Sequence, residues 1–126
     1  MPATFSPGEV AQVRPALFDD WLEGLPASPA GQRATVLDVR EPWEVQRAHV
    51  AADDARFALL TIPMNEIMAR VGELDPDAPI ACLCHHGARS QNVAQWLAQQ
   101  GFAKVANIAG GIDLWATERD PAVARY

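Results

Sequence analysis

Two cysteines stand two positions apart in this chain, and the second opens the run Cys84-His85-His86-Gly87-Ala88-Arg89-Ser90. The residues before it, Ile80 to Cys84, read as a near-continuous apolar strand, and those after it carry a helical pattern, so the run lies at a strand-to-helix junction. A loop in that position aims successive backbone N–H groups into one concavity, and the following helix adds roughly half a positive charge. An anion at its centre is stabilised. An unperturbed thiol ionises near pH ~8.5, and helix N-termini and nearby cations favour its nucleophilic thiolate form. Arg89 supplies the nearby cation. The chemistry this spacing offers is a cysteine nucleophile in an anion cradle, working by covalent catalysis.

The other donors around Cys84 have simpler expected roles. Gly87 suits a backbone that needs positive φ or close approach. Cys82 points to the same strand face as Cys84, deeper in the sheet, and is expected to be a buried structural cysteine rather than a resolving thiol. Cys-x-Cys-His-His invites a zinc proposal, but four donors within five consecutive residues cannot easily surround one tetrahedral ion, so no metal is expected. His85 and His86 are expected to face solvent at the mouth of the pocket. Arg89 should tie the loop to an acidic residue such as Asp38 or Glu44 rather than touch substrate. Trp43, Trp96 and Trp115 read as core or sheet-covering aromatics, and His49 as a satisfied histidine rather than a base.

Elements able to position this loop can be read along the chain. After a loose start at Met1 to Gly8, an extended piece around Ala11 to Val13 leads to a helix from Pro15 to Gly24, where proline suits the first turn and glycine the stop. Pro26 to Gln32 is a surface loop, and Ala34 to Val39 a buried strand. Glu41-Pro42-Trp43-Glu44 opens a short helix with acidic groups in its first turn. The stretch from Asp53 is expected to be a loop followed by a short strand near Leu60 to Ile62. Asn65 to Leu74 reads as a helix capped by Asn65, with Ile67, Met68, Val71 and Leu74 on its apolar face. The helix Ser90 to Gln100 stops at Gly101, Val105 to Ile108 is the last strand, and Gly110-Gly111 leads into a final helix through Trp115. Strands alternating with helices define an α/β fold on a parallel sheet, with Ile80 to Cys84 at its centre.

Composition sets the outer bounds. The chain has 126 residues, 49% hydrophobic and 21% charged, which suits one globular domain over 1–126. Its formal charge of −6 argues against a nucleic-acid partner, which needs a clustered basic face. The apolar runs are too short to cross a bilayer and the N-terminus lacks a signal-peptide pattern, so no membrane association and a cytoplasmic location are expected. Two cysteines cannot build a secreted-type disulfide framework.

Cys-x-x-Gly-x-Arg-Ser after an apolar strand resembles the active-site loop of single-domain rhodaneses. Leu37-Asp38-Val39-Arg40-Glu41-Pro42-Trp43-Glu44 is similar to that family's first signature, and Asn107-Ile108-Ala109-Gly110-Gly111-Ile112-Asp113-Leu114-Trp115 to its second. The resemblance covers about residues 10 to 117 and departs from the family where this chain reads Ala48-His49-Val50-Ala51-Ala52-Asp53 in place of Gly-His-Ile-Pro-Gly-Ala.

It implies a rhodanese-like three-layer α/β fold, with a mainly parallel sheet of about five strands flanked by helices. It also implies a thiosulfate-type sulfurtransferase with Cys84 as catalytic persulfide carrier, residues 85 to 89 and Ser90 as the substrate-binding loop, and Asp38 and Arg40 as structural support. No cofactor is implied. The partners would be small sulfur-containing anions and a thiol or protein sulfur acceptor. Related phosphatases have a loop one residue longer; the four residues between Cys84 and Arg89 make a smaller pocket, matched to one sulfur atom. Rival readings are a sulfur-carrying or regulatory module serving a partner protein and, further off, a phosphatase or arsenate reductase.

Overall fold

Five short runs rich in apolar residues pair into one parallel sheet with strand order β1-β5-β4-β2-β3. The strands are β1 (Val10–Val13), β2 (Ala34–Asp38), β3 (Phe57–Thr61), β4 (Ile80–Leu83) and β5 (Val105–Ile108). The structure, a computed structural model, describes residues 9–25, 33–53 and 55–126. The expected loose start and the expected loop at residues 26–32 fall outside them. Helices are α1 (Phe18–Glu23), α2 (Pro42–Arg47), α3 (Ile67–Arg70), α4 (Ala88–Gln99) and α5 (Gly111–Glu118). The arrangement is the expected α/β fold, with β4 at the centre of the sheet.

Parallel strands need helical crossovers, so both sheet faces are covered and the central strands are buried throughout. On one face Val13, Val36, Ala81, Leu83 and Ile108 pack with Phe18, Trp115 and Val123. On the other Leu37, Ile80, Cys82 and Val105 pack with Ile67, Val93, Ala94 and Leu97. From β2 the chain turns outward to β3, and from β4 it turns the other way to β5. The crevice at the carboxyl ends of β2 and β4 is therefore a switch point, the place where α/β sheets bind ligands.

Several local expectations are corrected. The first helix is a 3-10 turn at Pro15–Leu17 followed by α1. The strand expected near Leu60 to Ile62 begins earlier, at Phe57, where pairing with Ala34 on β2 fixes its register. No continuous helix spans Asn65 to Leu74. That stretch divides into 3-10 turns at Met64–Glu66 and Val71–Glu73 around the single turn of α3, and Asn65 makes no cap. The physical reasons are Met64 N–H bonded to the Val39 carbonyl, which fixes the start, and Gly72, which weakens a helix interior. Met68, expected on the apolar face, is 72% exposed.

Candidate active site

The site is built at the carboxyl end of β4. Cys84 follows the strand directly, and Gly87 then turns the chain into α4 with φ of +103°, a conformation that a side chain would strain. The N–H groups of the first turn of α4 have no intrahelical acceptor and lie beside the sulfur-bearing loop. Outside the loop, the start of α5 grips it: Ile112 N–H donates to the Cys84 carbonyl at 2.8 Å and Asp113 N–H to the His85 carbonyl at 3.1 Å. Gly111 permits this approach, because a Cβ there would fall 2.4–2.5 Å from those same carbonyl oxygens.

Cys84 is buried, and its sulfur accepts a hydrogen bond from Gly87 N–H at 3.1 Å and lies 3.2 Å from Ser90 Oγ. Ser90 Oγ also lies 2.6 Å from Asn107 Oδ1. Asn107 arrives there because the parallel register sets Gln12, Asn107 and Cys82 abreast on the α4 face of β1, β5 and β4. Its amide donates to the Gly87 carbonyl at 3.2 Å and to Gln12 Oε1 at 3.0 Å. Cys82 is fully buried in the apolar layer, and burial pushes its thiol well above the ordinary range, which favours its protonated form.

Arg89 clamps Glu44 with two bonds, at 2.6 and 2.8 Å. Of the two acids proposed as its partner, Glu44 is the one used. The guanidinium holds the Glu44 carboxyl down at about 2, against the opposing effect of burial. Glu44 sits on α2, whose N-terminus it closes in a reciprocal capping box with Glu41. Asp38 pairs instead with Arg40 in a fully buried two-pronged bridge, at 2.9 and 2.6 Å. Arg40 also donates to the Glu44 and Ala48 carbonyls, so it fastens the segment after β2 to α2.

The rim of the loop is aromatic. His86 is exposed as expected, but His85 is not a free solvent-facing side chain: its ring stacks between His86 at 4.0 Å and Tyr126 at 3.9 Å. Its Nε2 is buried without a hydrogen-bond partner, and burial lowers its pKa, with the neighbouring His86 adding to the effect. Tyr126 donates its hydroxyl to Glu44 at 2.6 Å and accepts from Arg40 at 3.0 Å. Trp43, expected as a covering aromatic, is 58% exposed and meets the Tyr126 ring edge-on. Trp115 is buried and Trp96 half-buried, as expected. His49 Nδ1 lies 3.4 Å from the Val50 carbonyl.

Among the described residues no cluster of His, Cys, Asp and Glu converges as a metal site. Nor is any described helix long and apolar enough to cross a membrane. Sequence reasoning did not find the parts played by Asn107, Gln12 and Tyr126. The first two were recoverable only through strand register, and Tyr126 is brought from the far end of the sequence.

Comparison with known proteins agrees with this geometry. Residues 19–118 match the rhodanese-like domain family. A thiosulfate sulfurtransferase GlpE from Shewanella oneidensis is 36% identical over 81 residues, covering 64% of this chain and 73% of that protein. YrkF of Bacillus subtilis, named as a candidate sulfur carrier protein, is 36% identical over 80 residues; the match takes in 64% of this chain but only 40% of that longer relative. The crystal structure of a rhodanese-related protein from Thermoplasma volcanium superposes with a TM-score of 0.68 at 29% identity, covering 92% of this chain and 99% of that one. The chain belongs to the rhodanese-like family.

Proposed function

We propose that this protein is a sulfurtransferase that carries sulfur as a persulfide on Cys84. The Cys84 thiolate attacks the outer sulfur of a donor such as thiosulfate. An S–S bond forms to Cys84 as the donor's own S–S bond breaks, and sulfite leaves with the electron pair. A thiophilic acceptor then attacks the outer sulfur of the persulfide and restores the thiolate. Cyanide would serve as acceptor in vitro and a thiol or protein in the cell. Two steps replace one, with the enzyme alternating between empty and loaded forms.

The observation that carries this reading is the use made of Arg89. A phosphoryl-transfer site needs cations on the oxygens of its substrate. Here both guanidinium prongs are spent on Glu44, and only four residues separate Cys84 from Arg89, a short loop in which Gly87 N–H and Ser90 Oγ face one sulfur. Residues 85 to 89 and Ser90 are the loop that would hold the outer sulfur, with Asp38 and Arg40 as its structural support. Two unpaired thiols suit a reducing compartment, which supports a cytoplasmic site of action.

Steady-state thiocyanate formation from thiosulfate and cyanide tests the assignment. Cys84→Ser should abolish it, because a hydroxyl of similar volume cannot form a persulfide, and Cys82→Ser should retain it. Equal loss in both variants would show the nucleophile to be misassigned. The YrkF likeness favours a second reading, a carrier loaded by a dedicated desulfurase for one partner protein. Persulfidation by such a desulfurase without thiosulfate turnover would mark that role, and hydrolysis of a phosphoester would revive the phosphatase alternative.

A further inference from the structure

Beneath Cys84, two buried acceptors face a single hydrogen-bond proton. The Ser90 hydroxyl lies 3.2 Å from Cys84 Sγ and 2.6 Å from Asn107 Oδ1, and all three residues are buried. A serine hydroxyl has one proton to donate. The main chain settles which way the Asn107 amide points. The Gly87 carbonyl can only accept, so the amide atom 3.2 Å from it is the nitrogen, and the oxygen is the atom that faces Ser90. The second amide hydrogen goes to Gln12 Oε1. Asn107 therefore has nothing to donate to Ser90, and Ser90 serves either the asparagine or the sulfur.

The two choices belong to different states of the sulfur. With Cys84 as a thiol, its S–H donates to Ser90 Oγ and Ser90 donates onward to Asn107, so every group is paired. Once the thiol loses its proton, the sulfur can only accept. It then draws the Ser90 hydroxyl to itself and leaves Asn107 Oδ1 buried without a donor, which is costly in a dry interior. We infer that Asn107 is a positioning residue that competes with Cys84 for the Ser90 proton and so holds the empty sulfur back from its thiolate form. A persulfide escapes the competition. Its charge sits on the outer sulfur, and the inner one, bonded on both sides, is a weak acceptor, so Ser90 stays on Asn107. This last consequence, a bias toward the loaded form, rests on the persulfide reading; the competition itself does not.

The test is the rate at which iodoacetamide alkylates Cys84 across pH, followed by intact mass in a Cys82→Ser background. It uses no sulfur donor, so its outcome is separate from that of the sulfur-transfer assay. The titratable and charged groups around Cys84 are Arg89 on α4, which stays paired with Glu44, Cys82 on β4, which is replaced, and His85 and His86 in the loop with Asp113 of α5 beside them. Every variant retains these last three, so differences between variants report Asn107 and Ser90. Asn107→Ala should free Ser90 for the sulfur, speed alkylation roughly three- to tenfold on the acid side of the profile, and move its midpoint to lower pH. Ser90→Ala should move the midpoint the other way. Adding Asn107→Ala to Ser90→Ala should then change nothing further, because the contested proton is gone. Asn107→Ser, whose shorter side chain draws its oxygen back from Ser90, should act like the alanine and serves if that variant does not fold. Midpoints that move in the same direction for the Asn107 and Ser90 variants, or effects that add in the double variant, would overturn the proposal.

Discussion

The floor and the rim of the loop after β4 are built on opposite plans. On the floor Cys84, Ser90 and Asn107 are buried and joined by hydrogen bonds to one another, to Gly87 and to Gln12. On the rim Trp43, Tyr126, His85 and His86 meet ring against ring, in part exposed, and one imidazole nitrogen has no partner. Hydrogen bonds fix the position and protonation of one atom, as chemistry at a single sulfur demands. Stacked rings fix a surface and tolerate exchange among shapes. In the proposed sulfurtransferase the floor would set which reaction occurs, and the rim would set which molecules reach it.

Breaking the floor from outside should have the largest effect. Gly111→Ala forces a side chain into φ of +62° and into the Cys84 and His85 carbonyl oxygens. The left-handed conformation and the overlap together should cost about 3 kcal/mol or more. Thermal unfolding would report the loss, and sulfur transfer should be undetectable in any folded fraction. A milder intrusion is one glycine inserted between Gly87 and Ala88, which widens the cradle without a clash. Misplacement of the sulfur by about 1 Å should lower transfer on the order of a hundredfold in a folded protein. Unchanged kinetics would mean that loop dimension does not decide which anion the site serves.

Between floor and rim lies the Arg89–Glu44 tie, and Glu44→Gln should weaken the loop by about 1–2 kcal/mol, toward the lower end for a buried pair because Arg89 is a third exposed. The sign of its pH dependence follows from the depressed Glu44 carboxyl. Its contribution is fully present above the ordinary value of 4.5 and is lost as pH falls toward about 2, because the unfolded chain takes up the proton first. Denaturation curves of the parent should lose stability through that window, and the Gln variant should lack that component. The smallest effect is expected on the rim. Tyr126→Phe keeps the stack on His85 but removes the hydroxyl shared by Glu44 and Arg40, costing about 1 kcal/mol. Turnover of a small donor should change less than about threefold. His85 ring resonances should move in Tyr126→Ala and stay in place in Tyr126→Phe.

What was legible in the sequence follows the same division. The loop from Cys84 to Ser90 could be read because its chemistry is contiguous and its flanks are an apolar strand and a patterned helix. Four of the strands and the α/β order were readable for the same local reason, whereas the bounds of β3 were set by its pairing with β2. Asn107 sits in a signature-like segment, but its hydrogen bonds to Ser90 and Gly87 depend on β5 lying beside β4, which no local pattern states. Tyr126 lies beyond the matched residues 19–118, so neither periodicity nor family likeness pointed to its contacts. The stretch from Asn65 to Leu74 misled because its apolar spacing suits a helix, while a main-chain bond at Met64 and the glycine at 72 divide it into short turns.

The central claim, that Cys84 carries the sulfur, is tested most directly by intact mass after incubation with thiosulfate. The parent protein should gain the mass of one sulfur atom, lose it on addition of cyanide with release of thiocyanate, and regain it with fresh donor. Cys84→Ser should show no gain and Cys82→Ser the full cycle. A sulfur adduct that persists in Cys84→Ser, or a parent protein that gains no mass from thiosulfate or from any persulfide donor, would contradict the account.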